Sequence, residues 1–299
     1  MVAAATLLLP SHFSGNLVFL TPTVSDGRSL NILLDTGGYD LIAPGTVDSL
    51  GLPTAPVSLG SRPRATVAFP KFLPGASIPV PATRWLIARP EAFASTFALN
   101  VDATLGASWF ASGALSIDYR RQQVALESIS ASQQTVSIEV KSAPPPVEQL
   151  PGETLVLVPV SVGGESLSML LDTGATARIR PEFRTRMPDA SAVRQVSFAS
   201  RSLVERWHRE HPDWPFVPNG AELPSGSGFR NADMIRVDVL SVGMRRAPPT
   251  WFLARSDDET FADLTKAFGR PVAGDLGGDA FREWKITIDL GSRMLGIGT

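Results

Sequence analysis

One short design occurs twice in this chain: Leu33-Leu34-Asp35-Thr36-Gly37-Gly38 and Leu170-Leu171-Asp172-Thr173-Gly174-Ala175. Each copy is an apolar strand that ends in a carboxylate, a hydroxyl and a glycine. A lone Asp-Thr-Gly says little, since a given tripeptide of common residues recurs about once per several thousand positions. Two copies constrain the fold if their surroundings repeat as well, and they do. The offset of 137 residues from Asp35 to Asp172 also carries Gly27 onto Gly164, and Ile42 and Pro44 onto Ile179 and Pro181. Residues 85–89 (WLIAR) match residues 251–255 (WFLAR) at an offset of 166. Residues 105–110 and 115–118 match 276–281 and 286–289 without a gap, at an offset of 171. Three matched blocks in one order are an internal duplication.

The local pattern within each copy is a hairpin. Residues 16–23 are β-prone, Ser25-Asp26-Gly27 signals a turn, and residues 30–34 form the strand that delivers Asp35. Residues 154–162, Gly163-Gly164 and residues 167–171 do the same for Asp172. Pro44 opens a short helix over residues 45–50, which Gly51 closes. The growth in offset from 137 to 166 places an insertion of about 29 residues between Ala175 and Trp251. Its expected content is a helix over residues 200–211, with Leu203, Val204 and Trp207 on one face and Pro212 and Pro215 as the stop. A mobile loop is expected to follow over residues 218–230. The Pro-rich stretch 144–152 reads as a linker between an N-terminal lobe, 1–143, and a C-terminal lobe, 153–299, with the helical insertion near 190–232. The predicted fold class is therefore all-β: two duplicated lobes with short helices.

Composition bears on function mainly by exclusion. A net charge of −2 gives no electrostatic footprint for nucleic acid, and no apolar run approaches the ~18 residues of a membrane span. With no Cys there are no disulfides, thiol nucleophiles or thiolate metal sites. His208 and His211 stand at i, i+3, but His12 is the only other histidine, so neither a metal nor a cofactor is expected. Residues 1–10 lack the basic start of a signal peptide. They fit a native start or a start near a removed signal, and the compartment stays open, with periplasm or secretion slightly favoured over the cytoplasm.

A carboxylate at the end of a buried strand is costly unless it is hydrogen-bonded or used. If two such lobes face each other across a pseudo-two-fold axis, Asp35 and Asp172 meet at the seam. They would share one proton, titrate as a unit, and activate a water for hydrolysis of an amide. Gly37 and Gly174 let the backbone approach the carboxylates, and Thr36 and Thr173 fix the paired loops. Gly38, Tyr39, Ala175 and Thr176 are the adjoining candidates for substrate contact. Gly38 and Ala175 offer the dyad no side-chain hydroxyl, so the shared-proton state is expected to persist toward weakly acid pH. Asp118 and Asp289 read as turn residues, Arg120-Arg121 as a solvated turn, and Trp109 and Phe110 as core.

The pair of apolar-apolar-Asp-Thr-Gly motifs, each with a later apolar-Gly strand (Leu105-Gly106; Leu276-Gly277), resembles the aspartic proteases. The tails Ser116-Ile117-Asp118 and Thr287-Ile288-Asp289 resemble the bacterial retropepsin-like branch, and the two-lobed single chain is similar to pepsin. The resemblance covers residues 16–299 and is strongest at the two motifs. It implies a bilobal pepsin-like acid protease fold with its active site at the lobe interface. It further implies an aspartic endopeptidase with Asp35 and Asp172 as catalytic dyad, acting on an extended peptide or protein; because the duplication supplies both halves of the dyad, a monomer is expected to suffice. A flap hairpin between residues 57 and 69 would place its tip near Gly60, Ser61 and Arg62. Two departures stand out: Gly38 and Ala175 replace the usual Ser or Thr, and the only tyrosines, Tyr39 and Tyr119, lie outside the flap. The alternative on the same fold is a catalytically silent peptide-binding or inhibitory protein.

Overall fold

The computed structural model of the chain describes residues 6–59, 62–81, 83–88, 99–111, 113–143, 150, 152–225, 228–257 and 261–299. In the first half, the apolar strand Leu17–Leu20 pairs antiparallel with Ile32–Leu34, Phe19 lying opposite Leu33. Ile32–Leu34 in turn runs parallel to Ala103–Leu105. Both neighbours of this strand are occupied and all three of its residues are buried, as its unbroken apolar run requires. Where the run ends, the Asp35 N–H donates to the Leu105 carbonyl at 2.8 Å, which fixes the carboxyl at the end of the strand. The second half repeats the arrangement. Thr154–Val162 pairs with Glu165–Leu171, which runs parallel to Gly274–Leu276, and the Asp172 N–H donates to the Leu276 carbonyl at 3.0 Å.

The halves are joined by a six-stranded sheet at whose centre Ala114–Asp118 pairs antiparallel with Lys285–Asp289. Ser116 lies opposite Thr287, its own counterpart at the 171-residue offset, so the pseudo-two-fold axis passes between them. Each strand ends in the same capped turn: Asp118 Oδ1 accepts the Arg121 N–H and Asp289 Oδ1 accepts the Ser292 N–H. Trp109 and Phe110 are core. The strand Glu139–Ser142 pairs with Thr154–Val162. Residues 144–149 and 151 of the linker lie outside the described residues.

The helices form where proline and capping residues place them. Helix α1, Pro44–Leu50, starts on Pro44 and stops at Gly51, whose φ of 60° is the left-handed conformation that glycine adopts without strain. Helix α2, Arg201–Glu210, is capped by Ser200 Oγ, which accepts the Leu203 N–H, and it buries Leu203, Val204 and Trp207. His208 stacks on Phe216 and His211 on Trp214. Helix α3 spans Ala262–Phe268.

Two sequence expectations for the second half are corrected. Helix α2 is not inserted material but the counterpart of α1. It follows the strand Ser197–Ser200, which pairs parallel to Thr250–Arg255 and antiparallel to Gly274–Leu276. Leu41–Ile42, ahead of α1, pairs parallel to Trp85–Ile87 and antiparallel to Ala103–Leu105. Ile42 therefore corresponds to Ala199, at an offset of 157, and not to Ile179. The added chain is the preceding segment, strand Thr176–Ile179, a short 3-10 turn Pro181–Arg186 and strand Val193–Gln195. The loop expected over residues 218–230 is instead a long hairpin, Phe216–Ser225 with Gly228–Val237. Its turn formers make a bulge between Val217 and Ala221, where Asn219 has φ 51° and its N–H bonds to Asp233 Oδ1 at 2.8 Å. The first-half counterpart is the shorter hairpin Thr54–Leu59 with Arg62–Val67. Gly60 and Ser61 at its tip, and the side chain of Arg62, lie outside the described residues.

Candidate active site

The two motif loops meet across the axis and are locked by their threonines. The Thr36 N–H donates to Thr173 Oγ1 and the Thr173 N–H to Thr36 Oγ1, each at 3.0 Å. The Thr36 hydroxyl donates to the Leu171 carbonyl at 2.8 Å and the Thr173 hydroxyl to the Leu34 carbonyl at 2.7 Å. Both threonines are fully buried, so each hydroxyl satisfies one donor and one acceptor that water cannot reach.

This lock sets the glycines against the opposite carboxyls. A Cβ on Gly37 would lie 2.6 Å from Asp172 Cγ, and one on Gly174 would fall inside the Asp35 carboxyl. Only a residue without a side chain allows that approach. The result is that the Asp35 and Asp172 carboxyls meet at the seam, each set against the opposite lobe's glycine. The Gly174 N–H also donates to Asp172 Oδ1 at 2.9 Å. Gly38 is equally constrained, because its Cβ would lie 2.7 Å from Asp35 Cγ. A serine there has no room, so the missing hydroxyl is a consequence of where the Asp35 carboxyl sits.

Burial holds Asp35 well above the usual carboxylate range, and the neighbouring charge of Asp172 pushes it further. Asp172 is also raised by burial, opposed first by the charge of Arg255. The charge of Asp172 raises Asp35 and that of Arg255 lowers Asp172, which favours the proton on Asp35 and the charge on Asp172. Burial is the leading cause at both residues, ahead of any donor that Gly38 and Ala175 fail to supply.

The dyad forms the floor of a cleft of about 530 Å³. Gly37, Gly38, Tyr39, Gly174, Ala175 and Thr176 line it, and Leu33, Leu41, Leu155, Leu170 and Leu264 give it apolar walls. Thr36 and Thr173 lie beneath. Tyr39 is 57% exposed, and burial first and then Glu153 push its phenol up to about 12. The second-half hairpin brings Pro224 to the cleft. Helix α2, in contrast, packs beside the start of the strand Glu165–Leu171, at the opposite end from Asp172, Arg206 bridging to Glu165 at 2.8 Å.

Sequence reasoning missed Arg255 and Asp275, which line the cleft and bond to each other, Nη1 to Oδ2, at 3.0 Å. A signal was present. Asp275-Leu276-Gly277 repeats Thr104-Leu105-Gly106 with a carboxylate where the first copy has a hydroxyl. Glu153 and Asp263 complete the charged lining. They lie outside the matched blocks.

The chain matches no protein-family model and no curated protein. Among solved structures it is similar to Basic 7S globulin from soybean, with 11% identity, a TM-score of 0.50, and coverage of 98% of this chain and 96% of that one. The structure titled edgp follows with 10% identity, a TM-score of 0.49, and coverage of 100% and 96%. The fold is therefore all-β, bilobal and pepsin-like, as the duplicated motifs implied. The assignment to the aspartic proteases, and to their bacterial retropepsin-like branch, is not upheld: no protease family matches, and the likeness is one of fold to a globulin. The motif is a local solution for bringing two strand-end carboxyls together, and a few residues in each loop do not carry family membership for the rest of the chain.

Proposed function

We propose that the protein hydrolyses amide bonds in an extended peptide held in the inter-lobe cleft, with Asp35 and Asp172 as general acid and base. The observation that supports this is the pair of carboxyls that meet at the seam, each set against the opposite lobe's glycine and open to the cleft. The ionised carboxylate takes a proton from water as its oxygen attacks the scissile carbonyl carbon. The protonated carboxyl gives its proton to the carbonyl oxygen, forming a tetrahedral diol. A proton then passes to the amide nitrogen as the C–N bond breaks, leaving a carboxylic acid and an amine and no covalent enzyme intermediate.

The test is incubation with a mixed peptide library across pH, with and without a hydroxyl-containing transition-state isostere. Cleavage that the isostere blocks and that Asp35→Asn and Asp172→Asn each abolish is the expected result. Isostere or peptide binding without cleavage at any pH would replace this reading by a peptide-binding protein on the same fold.

A further inference from the structure

The lobes differ in the strand that runs parallel to each motif strand, Ala103–Leu105 in one and Gly274–Leu276 in the other. Asp275 sits on the strand whose next residue, Leu276, accepts the Asp172 N–H at 3.0 Å. It is 1% exposed, its Oδ2 receives Arg255 Nη1 at 3.0 Å, and its Oδ1 has no hydrogen-bond partner. The Arg255 guanidinium lies over the Phe198 ring, 4.2 Å from its centroid, and is the one cation among the described residues that line the cleft. The first-lobe counterpart of Asp275 is Thr104, whose neutral hydroxyl bonds the Tyr39 carbonyl. The approximate symmetry of the site is thus broken by one buried carboxyl on the Asp172 side, paired with Arg255, whose sequence counterpart Arg89 lies outside the described residues. A buried carboxyl with an unpaired oxygen is costly to keep.

We propose that Arg255 and Asp275 are positioning residues that make the dyad carboxyls inequivalent, with Arg255 holding the negative charge on Asp172 and leaving the shared proton on Asp35. This rests on reading the dyad as an acid–base unit. Among the described residues, the other groups facing the site add no cation: Asp35 from the first lobe, Tyr39 beside it, Glu153 ahead of Thr154–Val162, and Asp263 on α3. Asp40 lies behind Gly38, its Oδ1 on the Gly106 N–H. The directions agree, since Arg255 is the first influence that opposes the rise of Asp172. Asp275 is pushed up to about 7, first by burial and then by the charge of Asp172. In weakly acid solution it is neutral and leaves the guanidinium's field to Asp172. Once ionised, it competes for that cation and opposes loss of the proton from Asp35.

The test is a 13C NMR titration of aspartate carboxyls in the wild type and in Arg255→Met, Arg255→Lys and Asp275→Asn, with thermal unfolding to confirm that each variant is folded. Arg255→Met is expected to move both dyad ionisations up by about one pH unit, and Arg255→Lys to restore most of that. Asp275→Asn is expected to move the second ionisation down. Dyad titrations that coincide in all four proteins, or a downward move in Arg255→Met, would overturn the proposal. The readout does not need turnover. A protein that cleaves no peptide yet shows these opposite shifts refutes the proposed hydrolysis alone, and peptide cleavage with unmoved titrations refutes this inference alone.

Discussion

Asp40 and Ser197 hold the same place in the two lobes: Asp40 Oδ1 accepts the Gly106 N–H at 2.7 Å, and Ser197 Oγ accepts the Gly277 N–H at 3.1 Å. The hydroxyl does this without charge. The carboxyl is 2% exposed, its Oδ2 is unpaired, and burial pushes it up to about 7. A carboxyl raised on folding keeps a proton that the unfolded chain gives up, so stability falls as pH rises from the unfolded value toward 7. Asp40→Ser should therefore stabilise the protein by on the order of 2–4 kcal/mol at about pH 8 and change it little at about pH 4. Urea unfolding at both pH values checks this. An equal effect at the two would mean that the carboxyl is not the cause.

The threonine lock predicts a matched pair of costs. Thr36→Ala or Thr173→Ala removes one acceptor and one donor, and leaves a buried N–H and carbonyl unpaired in the other loop. Each should cost about 2–4 kcal/mol in chemical denaturation, whereas Thr→Ser at either place should cost less than about 1 kcal/mol. A similar loss for Ala and Ser would point to the methyl group's packing instead.

Gly37→Ala should separate the dyad. Its Cβ would meet the Asp172 carboxyl, while a Cβ on Gly45 in α1 would meet nothing within 4 Å. Displacing a catalytic group by about 1 Å costs roughly 100-fold, so Gly37→Ala should lose at least that in peptide turnover and Gly45→Ala should not. Equal rates in the two variants would argue that the Gly37 contact is dispensable.

Burial of both carboxyls also fixes the expected pH profile. With Asp35 and Asp172 each raised, the singly protonated pair persists into the weakly acid range, and the activity optimum should lie there. A pH–rate profile peaking below about pH 3 would show that water reaches the pair more freely than its surroundings suggest.

The fold was legible wherever duplication preserved sequence. The offsets at Asp35, Trp85 and Leu105 placed the motif strands, and Ser116 opposite Thr287 follows from the last of them. It was illegible where pairing outlived sequence. Leu41–Ile42 and Ser197–Ser200 share partners but no residues, while Ile42-x-Pro44 and Ile179-x-Pro181 agree by chance and mislead. Pro218, Asn219, Gly220 and Pro224 suggested a loop. Pro218, Asn219 and Gly220 are tolerated because they fall in the bulge between Val217 and Ala221, and Pro224 because it lies beyond Ala221 and Glu222, where the strand on the side away from the hairpin stops pairing. The candidate carboxyls were visible because each ends an apolar run. Arg255 and Asp275 stand in or next to the matched blocks, but their pairing was not legible, because it depends on two strands that meet only in space.

The most direct measurement of the central claim is a double-mutant cycle in peptide hydrolysis with Asp35→Asn, Asp172→Asn and the double variant. If the carboxyls act as one acid–base unit, each single variant should lose at least about 10²–10⁴-fold, and the double variant should lose little more than either. Two partial losses that multiply in the double variant, or a single variant that keeps wild-type turnover, would contradict it.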